Sequence, residues 1–445
     1  MKRSTDIGTA IAERRAGPLA ALACLVVLVV LVVLAAPATA APPGWSKPVS
    51  IAGSASGPRV ALSGEGGAAA VWEATRGTFP VIEGSIHVDG KWAFTSTLHI
   101  GGFEPSIAAL GEGEAIAVWD GSFGVEAALA TPRGWTSLPP IPHSVLAFAP
   151  EVAADGSGRA TVVWRQPGLG GARIDAATRA PGGGWSAARP LSRSGGAGPL
   201  SRPDGVAFSP QVAVTPSGAA VAVWRRKDGA KSIVQAAVSG RPGHWSAAAN
   251  LSAPGQNAVA PAVAIDPAGE AVAVWQRFDG AHQIIQAAAR PAGGRWSNPA
   301  HLSAAGRNAE APSVALSSTG EAVVAWERFD GRVDRIQATT RPRGGRWTPP
   351  RNLSAAHRSA HGARLAIDAA GLARVVWQAS EANGTAVAEA SRPPGGSWSA
   401  PGSIAEGPAV RSEPAIALAG EGEGVVVWAG YGLGAAFHPP SPPSP

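Results

Sequence analysis

Two tryptophan series run through this chain in a common frame. The first falls at Trp72, Trp119, Trp164, Trp224, Trp275, Trp326, Trp377 and Trp428, and its last four intervals are each 51 residues. The second falls at Trp45, Trp92, Trp135, Trp185, Trp245, Trp296, Trp347 and Trp398, so that the two series together use all 16 Trp of the chain. Residues 260–303 and 311–354 align without a gap as copies of one unit. The chain is therefore a repeat array, and its 445 residues set no domain count of their own, because neighbouring repeats share one continuous core.

Within one repeat, four short apolar segments are separated by turn chemistry. Val263–Ile265 ends at Asp266-Pro267-Ala268-Gly269, and Ala271–Trp275 runs on to Asp279-Gly280, whose Gly tolerates the positive φ of a tight hairpin. Gln283–Ala289 stops at Pro291 and Gly293-Gly294. Arg295–Leu302 carries Trp296 and Pro299, and Pro suits an outer strand because it cannot donate to a ladder. No stretch between Gly and Pro breaks is long enough for a helix. The expected fold is all-β: an eight-bladed β-propeller of four-stranded antiparallel blades, with repeats of about 45–60 residues over 41–437.

The ends close the ring. The last unit, from Glu413, lacks a Trp-Ser fourth strand, whereas Gly44–Ile51 begins with one, Trp45-Ser46. Inserted as the outer strand of the last blade, it removes an open edge. The Gly- and Pro-rich insertion at 192–206 reads as an exposed loop, and 438–445 as a disordered, solvated Pro-rich tail.

Residues 1–40 read as an export signal. Lys2, Arg3, Arg14 and Arg15 precede an apolar run from Pro18 to Ala36, and Ala38-Thr39-Ala40 suits a signal peptidase cutting before Ala41. At about 18–19 residues the run is also close to a bilayer span, so an uncleaved membrane anchor is the alternative. Either way the repeats lie outside the cytoplasm. The only Cys, Cys24, sits inside the leader, which leaves the mature chain without disulfides or thiolate ligands. A formal charge of +6 on scattered Arg, with 15% charged residues, lacks the clustered stripe that nucleic acid requires.

In a propeller, the loops joining second to third strands and those joining one blade to the next emerge on one face. The first kind here carries Arg226-Lys227-Asp228, Arg277-Phe278-Asp279 and Arg328-Phe329-Asp330; the second carries Gln256-Asn257 and Arg307-Asn308. Arg forks and carboxylates hydrogen-bond sugar hydroxyls, which makes Arg226, Asp228, Arg277, Asp279, Arg328 and Asp330 the candidate ligand contacts. The plainer reading has Asp-Gly making each turn with Arg as a solvated neighbour. The Trp series reads as blade-packing core. No catalytic residues, metal ligands or cofactor are expected. His357 and His361 share a face only on a helix, and they lie in a loop. Gly430–Gly434 opens no helix that could cradle phosphate.

Over 44–437 the repeat resembles uncharacterised secreted bacterial β-propeller repeat proteins and, more loosely, sialidase-like and fucose-lectin-like propellers. The sialidase Asp-box, Ser-x-Asp-x-Gly-x-x-Trp, is not matched by Asp155 and Trp164, and the one Tyr, Tyr431, has no acidic neighbour in sequence. Export, the repeated polar loops and the lack of a catalytic constellation point instead to a monomeric, exported, non-enzymatic module that binds a glycan or cell-envelope polymer through one face. A protein-interaction scaffold is the alternative, and a sialidase-like glycoside hydrolase the second alternative.

Overall fold

The computed structural model describes residues 44–440 except 65, 169–170, 193–205, 383, 408–409 and 411. The export signal, the tip of the 192–206 insertion and the last five residues lie outside the described residues. Eight antiparallel sheets follow one another along the chain: Ser56–Ile100, Phe103–Leu138, Phe148–Pro190, Ala207–Asn250, Ala258–His301, Ala309–Asn352, Ala360–Gly407, and Ala415–His438 completed by Val49–Ala52. The protein is an eight-bladed β-propeller. Among the described residues the only helical ones form a single 3-10 turn, Gly420–Gly422.

Small and branched residues alternate along each second strand because both faces of a blade are covered by its neighbours. The first Trp of each repeat plugs a seam between blades. Trp275, fully buried, packs with Val221, Val223, Val234 and Leu251 of the preceding blade, and Trp326 fills the next seam against Val272, Val274 and Ile285. The second Trp series sits at the rim of the same seams, with Trp296 and Trp347 only partly buried.

Closure follows the expected path. Val49 pairs with Ala435, Ser50 with Gly434 and Ala52 with Leu433. Ser46 donates its N–H to the Phe437 carbonyl at 2.6 Å and accepts the Phe437 N–H on Oγ at 3.0 Å. Ser297 and Ser399 make the same pair of bonds to Ala289 and Ser391 within their own blades, so the N-terminal segment occupies a regular fourth position. Gly432 lets the closing strand approach: a Cβ there would collide with the Ala52 carbonyl oxygen.

Two expectations need correction. The fourth strand is far shorter than Arg295–Leu302: only Ala300–His301 joins the ladder, and the same two-residue pairing recurs at Ala249–Asn250 and Arg351–Asn352. Pro299 has no N–H to donate, so beyond the ladder the segment is pinned by isolated bonds, the Ser297 and Leu302 N–H groups donating to the Ala289 and Ile285 carbonyls and two serine hydroxyls adding to them. Ser297 Oγ takes the N–H of Ala289, and Ser303 Oγ that of Ile285. The tail also begins one residue late, because the last strand runs through His438. The His438 ring packs edge-on against Trp45, and its Nε2 lies 2.9 Å from the Arg374 guanidinium.

Candidate functional site

The two faces of the ring use their polar residues differently. On the lower face, formed by first-to-second and third-to-fourth loops, charges are spent on bracing neighbouring blades. Arg341 Nη1 meets Glu270 Oε1 at 2.9 Å, Arg392 meets Glu321 at 2.9 Å, and Arg343 bonds Asp266. These arginines hold blade 6 to blade 5 and blade 7 to blade 6. The upper face carries the other two loop classes, which touch one another: Phe278 N–H donates to the Asn257 carbonyl, and Phe329 N–H to that of Asn308.

The six candidates read from the sequence lie on this face, in blades 4 to 6, yet most are occupied within their own loops. Arg277 is buried and donates to the carbonyls of Ala253 (2.7 Å) and Gln256 (3.5 Å); Arg328, equally buried, donates to those of Ala304 and Arg307, both at 2.6 Å. Each ties a hairpin to the inter-blade loop beside it. Asp279 accepts the N–H groups of Ala281 and His282, and Asp330 those of Arg332 and Val333. These bonds hold both carboxyls below their usual pKa, which is the behaviour of turn-forming Asp. Asp228 stands exposed at its hairpin end, and Arg226 lines a groove between blades 3 and 4 with Arg173, Gln235 and Trp245. Nothing in the structure brings the three Asp together.

The upper face is organised around the central channel, a cavity of about 480 Å³ to which the innermost strands contribute. Seven of those strands carry a β-bulge at the same place, with Gly57, Glu104, Ala149, Ser209, Ala260, Ala311 and Gly362 at φ between 48° and 67°. Five of the seven are not glycine, and residues held in this region cost of order 1 kcal/mol each. In six of the seven a Pro follows directly, at Pro58, Pro105, Pro150, Pro210, Pro261 and Pro312, always 14 residues before the first Trp. That spacing was available in the sequence and marks the channel rim. The position after it varies: Glu151, fixed by Ser106 Oγ and Gln211 Nε2 at 3.0 Å each, faces a rim that elsewhere holds Arg59, Ala262 and Arg364.

The residue directly after each buried Trp also opens to the upper face and also varies, as Glu73, Asp120, Arg165, Arg225, Gln276 and Glu327 in blades 1 to 6. Blade 2 gathers acid there. Burial first, then the charges of Glu104 and Glu126, pushes the Asp120 carboxyl up to about 6. Glu126 in turn meets His99 Nδ1 at 2.9 Å, and Glu104 accepts the Ala149 N–H across the seam. Because its folded value lies above the ordinary 3.8, Asp120 holds more proton in the folded chain between about pH 4 and 6, and its ionisation removes stability as pH rises through that window. Asp120→Asn is therefore expected to raise Tm at pH 7 and leave it nearly unchanged at pH 4. Thermal unfolding at both pH values checks this, and an equal shift at both would identify a packing effect instead.

Apolar side chains complete the picture. Phe79, Ile100, Phe103, Phe123, Val145, Leu146 and Phe148 are all exposed on upper-face loops and strand ends of blades 1 to 3, from 40% for Phe148 to 70% for Phe123 and Leu146. Among the described residues, blades 4 to 8 contribute Val49, Phe329 and Tyr431 as exposed large apolar side chains. Exposed apolar side chains are therefore concentrated on blades 1 to 3. Among the described residues no group of His, Asp or Glu is placed to hold a metal ion, and no helix is long and apolar enough to cross a membrane.

Fold and surface together define the class: an eight-bladed propeller with one differentiated face, concentrated on blades 1 to 4. No family model matches the chain, and no curated protein does. Similar solved structures include an ulvan lyase of a polysaccharide lyase family, at 10% identity over 73% of this chain and 89% of that one, with a TM-score of 0.48. They also include a Dyadobacter fermentans protein of unknown function, at 11% identity over 89% and 99% with a TM-score of 0.46. A Hadza microbial sialidase is 12% identical over 83% and 81%, with a TM-score of 0.39. At these values the likeness is one of general fold, and it assigns no chemistry to this chain.

Proposed function

We propose that this chain is an exported, non-enzymatic binding module that recognises a glycan or cell-envelope polymer on the upper face of blades 1 to 4. The observation that carries the reading is the pairing of exposed aromatic rings with charged groups: Phe103 stands opposite Asp120, Phe148 opposite Arg165, and the Phe123 N–H meets Glu126. Pyranose rings have apolar faces that stack on aromatic side chains, while their hydroxyls need donors and acceptors close by. Export rests on the N-terminal leader.

The test is a glycan array with the chain from Ala41 onward, beside Phe103→Ser/Phe123→Ser/Phe148→Ser. These rings are exposed, so the triple variant should keep its Tm while losing most array signal. Binding that survives the triple variant would put the site elsewhere. Failure to bind any glycan or envelope fraction would leave a protein partner as the better reading, which Ile100, Val145 and Leu146 favour as purely aliphatic surface. The raised carboxyl of Asp120 suits a general acid, so release of reducing ends is assayed on every glycan that binds.

A further inference from the structure

Arg165 and Arg225 follow the buried Trp of blades 3 and 4, in register with Phe148 and Phe208 on the adjoining first strands. Both guanidinium carbons lie 4.6 Å from the centroid of the same Phe208 ring, and that of Arg165 is also 5.7 Å from the Phe148 ring. Two cations therefore share one aromatic ring. Among the described residues neither has a carboxylate partner, and the Nε of each is buried without a hydrogen bond. The contrast with Arg173, Arg341, Arg374 and Arg392 is complete, since each of those meets an acid at 2.7 to 3.0 Å.

Two half-buried positive charges without a counter-ion repel one another and are poorly solvated. Burial first, then the charge of Arg165, draws the Arg225 guanidinium below its usual pKa. An anion that reaches both guanidinium groups beside the Phe208 ring offsets both penalties. A guanidinium offers a planar fork that matches the oxygens of a carboxylate or sulfate group, and the Phe208 face limits its orientation. Across the seam, Glu104, Asp120 and Glu126 of blade 2 disfavour a second anion at that position. The neutral side chain of Phe148 lies between the two charged sectors in chain order.

We infer that Arg165 and Arg225, oriented by Phe208, form an anion subsite that takes the carboxylate or sulfate group of an acidic polysaccharide. This deepens the glycan-binding reading above and rests on it.

Titration calorimetry with oligogalacturonate, dextran sulfate and neutral dextran tests the subsite on the intact chain from Ala41. Arg165→Gln and Arg225→Gln are each expected to weaken an acidic probe by about tenfold to a hundredfold and to leave any neutral glycan found on the array unaffected. Arg225→Lys, which keeps charge but loses the fork, is expected to fall between. Which acidic probe binds separates carboxylate from sulfate recognition, and near-UV circular dichroism shows that each variant stays folded. Undiminished acidic binding in the double variant overturns the subsite. So does binding of neutral glycans alone, which leaves the broader glycan reading standing, whereas no glycan binding at all sinks both. Asp204, in the segment outside the described residues, supplies a separate check. Relief of the unpaired charge is expected to leave Tm of Arg225→Gln unchanged or higher; if instead Asp204→Asn and Arg225→Gln both lower Tm and Asp204→Asn creates affinity for inorganic sulfate, the chain already provides its own counter-ion and the ligand subsite is refuted.

Discussion

A chain that starts at Ala55 rather than Ala41 is expected to lose its closed ring. The missing segment supplies the outer strand of blade 8, and with it the paired bonds of Ser46 to Phe437 and the ladder from Val49 to Ala52. It also supplies Trp45, 8% exposed, which packs with Val376, Val387, Ile404, Val426 and Trp428 across the seam between blades 7 and 8. Burying a Trp removes about 150–250 Å² from water, worth about 4–6 kcal/mol at about 25 cal/mol per Å². That is comparable with the whole stability of many domains. Leu433–His438 would then present an unpaired edge able to recruit a second copy. Light scattering behind a sizing column, with thermal unfolding, should show oligomers or aggregate and no cooperative transition at the parent temperature. Trp45→Ala keeps the strand and should cost about 3–5 kcal/mol while leaving a monomer. An unchanged monomer from the shortened chain would mean that the ring does not depend on its closing strand.

The second large effect separates the two Trp series. Trp275→Ala removes a fully buried ring from the seam between blades 4 and 5 and strands the Gln286 side chain, whose Oε1 accepts the indole N–H at 3.0 Å. A loss of about 3–5 kcal/mol is expected. Trp296→Ala acts on the same cluster from the rim, where the ring is only partly buried, and should cost about half as much. Urea unfolding of the two variants side by side decides the matter. Equal losses would show that both series carry the core alike.

The placement of the singled-out hairpin residues was partly legible. The six residues singled out from the sequence do lie on the face that carries the differentiated surface, because an Asp-Gly step marks a hairpin wherever it falls. Their roles were not legible. Arg277 donates to carbonyls of the preceding inter-blade loop, a contact between residues 21 and 24 positions apart that no local pattern announces. The better signals lay in what varies against the repeat. The residue after each Trp changes from Glu73 and Asp120 to Arg165 and Arg225, and seven of the eight repeats carry a Pro 14 residues before their first Trp. The Pro positions are surrounded by strand-like residues, so nothing nearby hints that their rim residues meet around one channel.

By itself the sequence determined the repeat, the number of blades, the antiparallel order of strands and the closing partner of the last blade. All four depend on local alternation and on spacing counted along the chain. The tertiary structure decided how the fourth strand is attached, which charges brace the blades, and where the surface is left unpaired. Arg165 and Arg341 illustrate the difference. The Arg341 side chain spans the seam to Glu270, whereas Arg165 shares the ring of Phe208 with Arg225 and meets no acid among the described residues. Whether an arginine finds an acid is settled by which side chains the curvature of the ring sets side by side, and that distance is not written in the spacing of either residue along the chain.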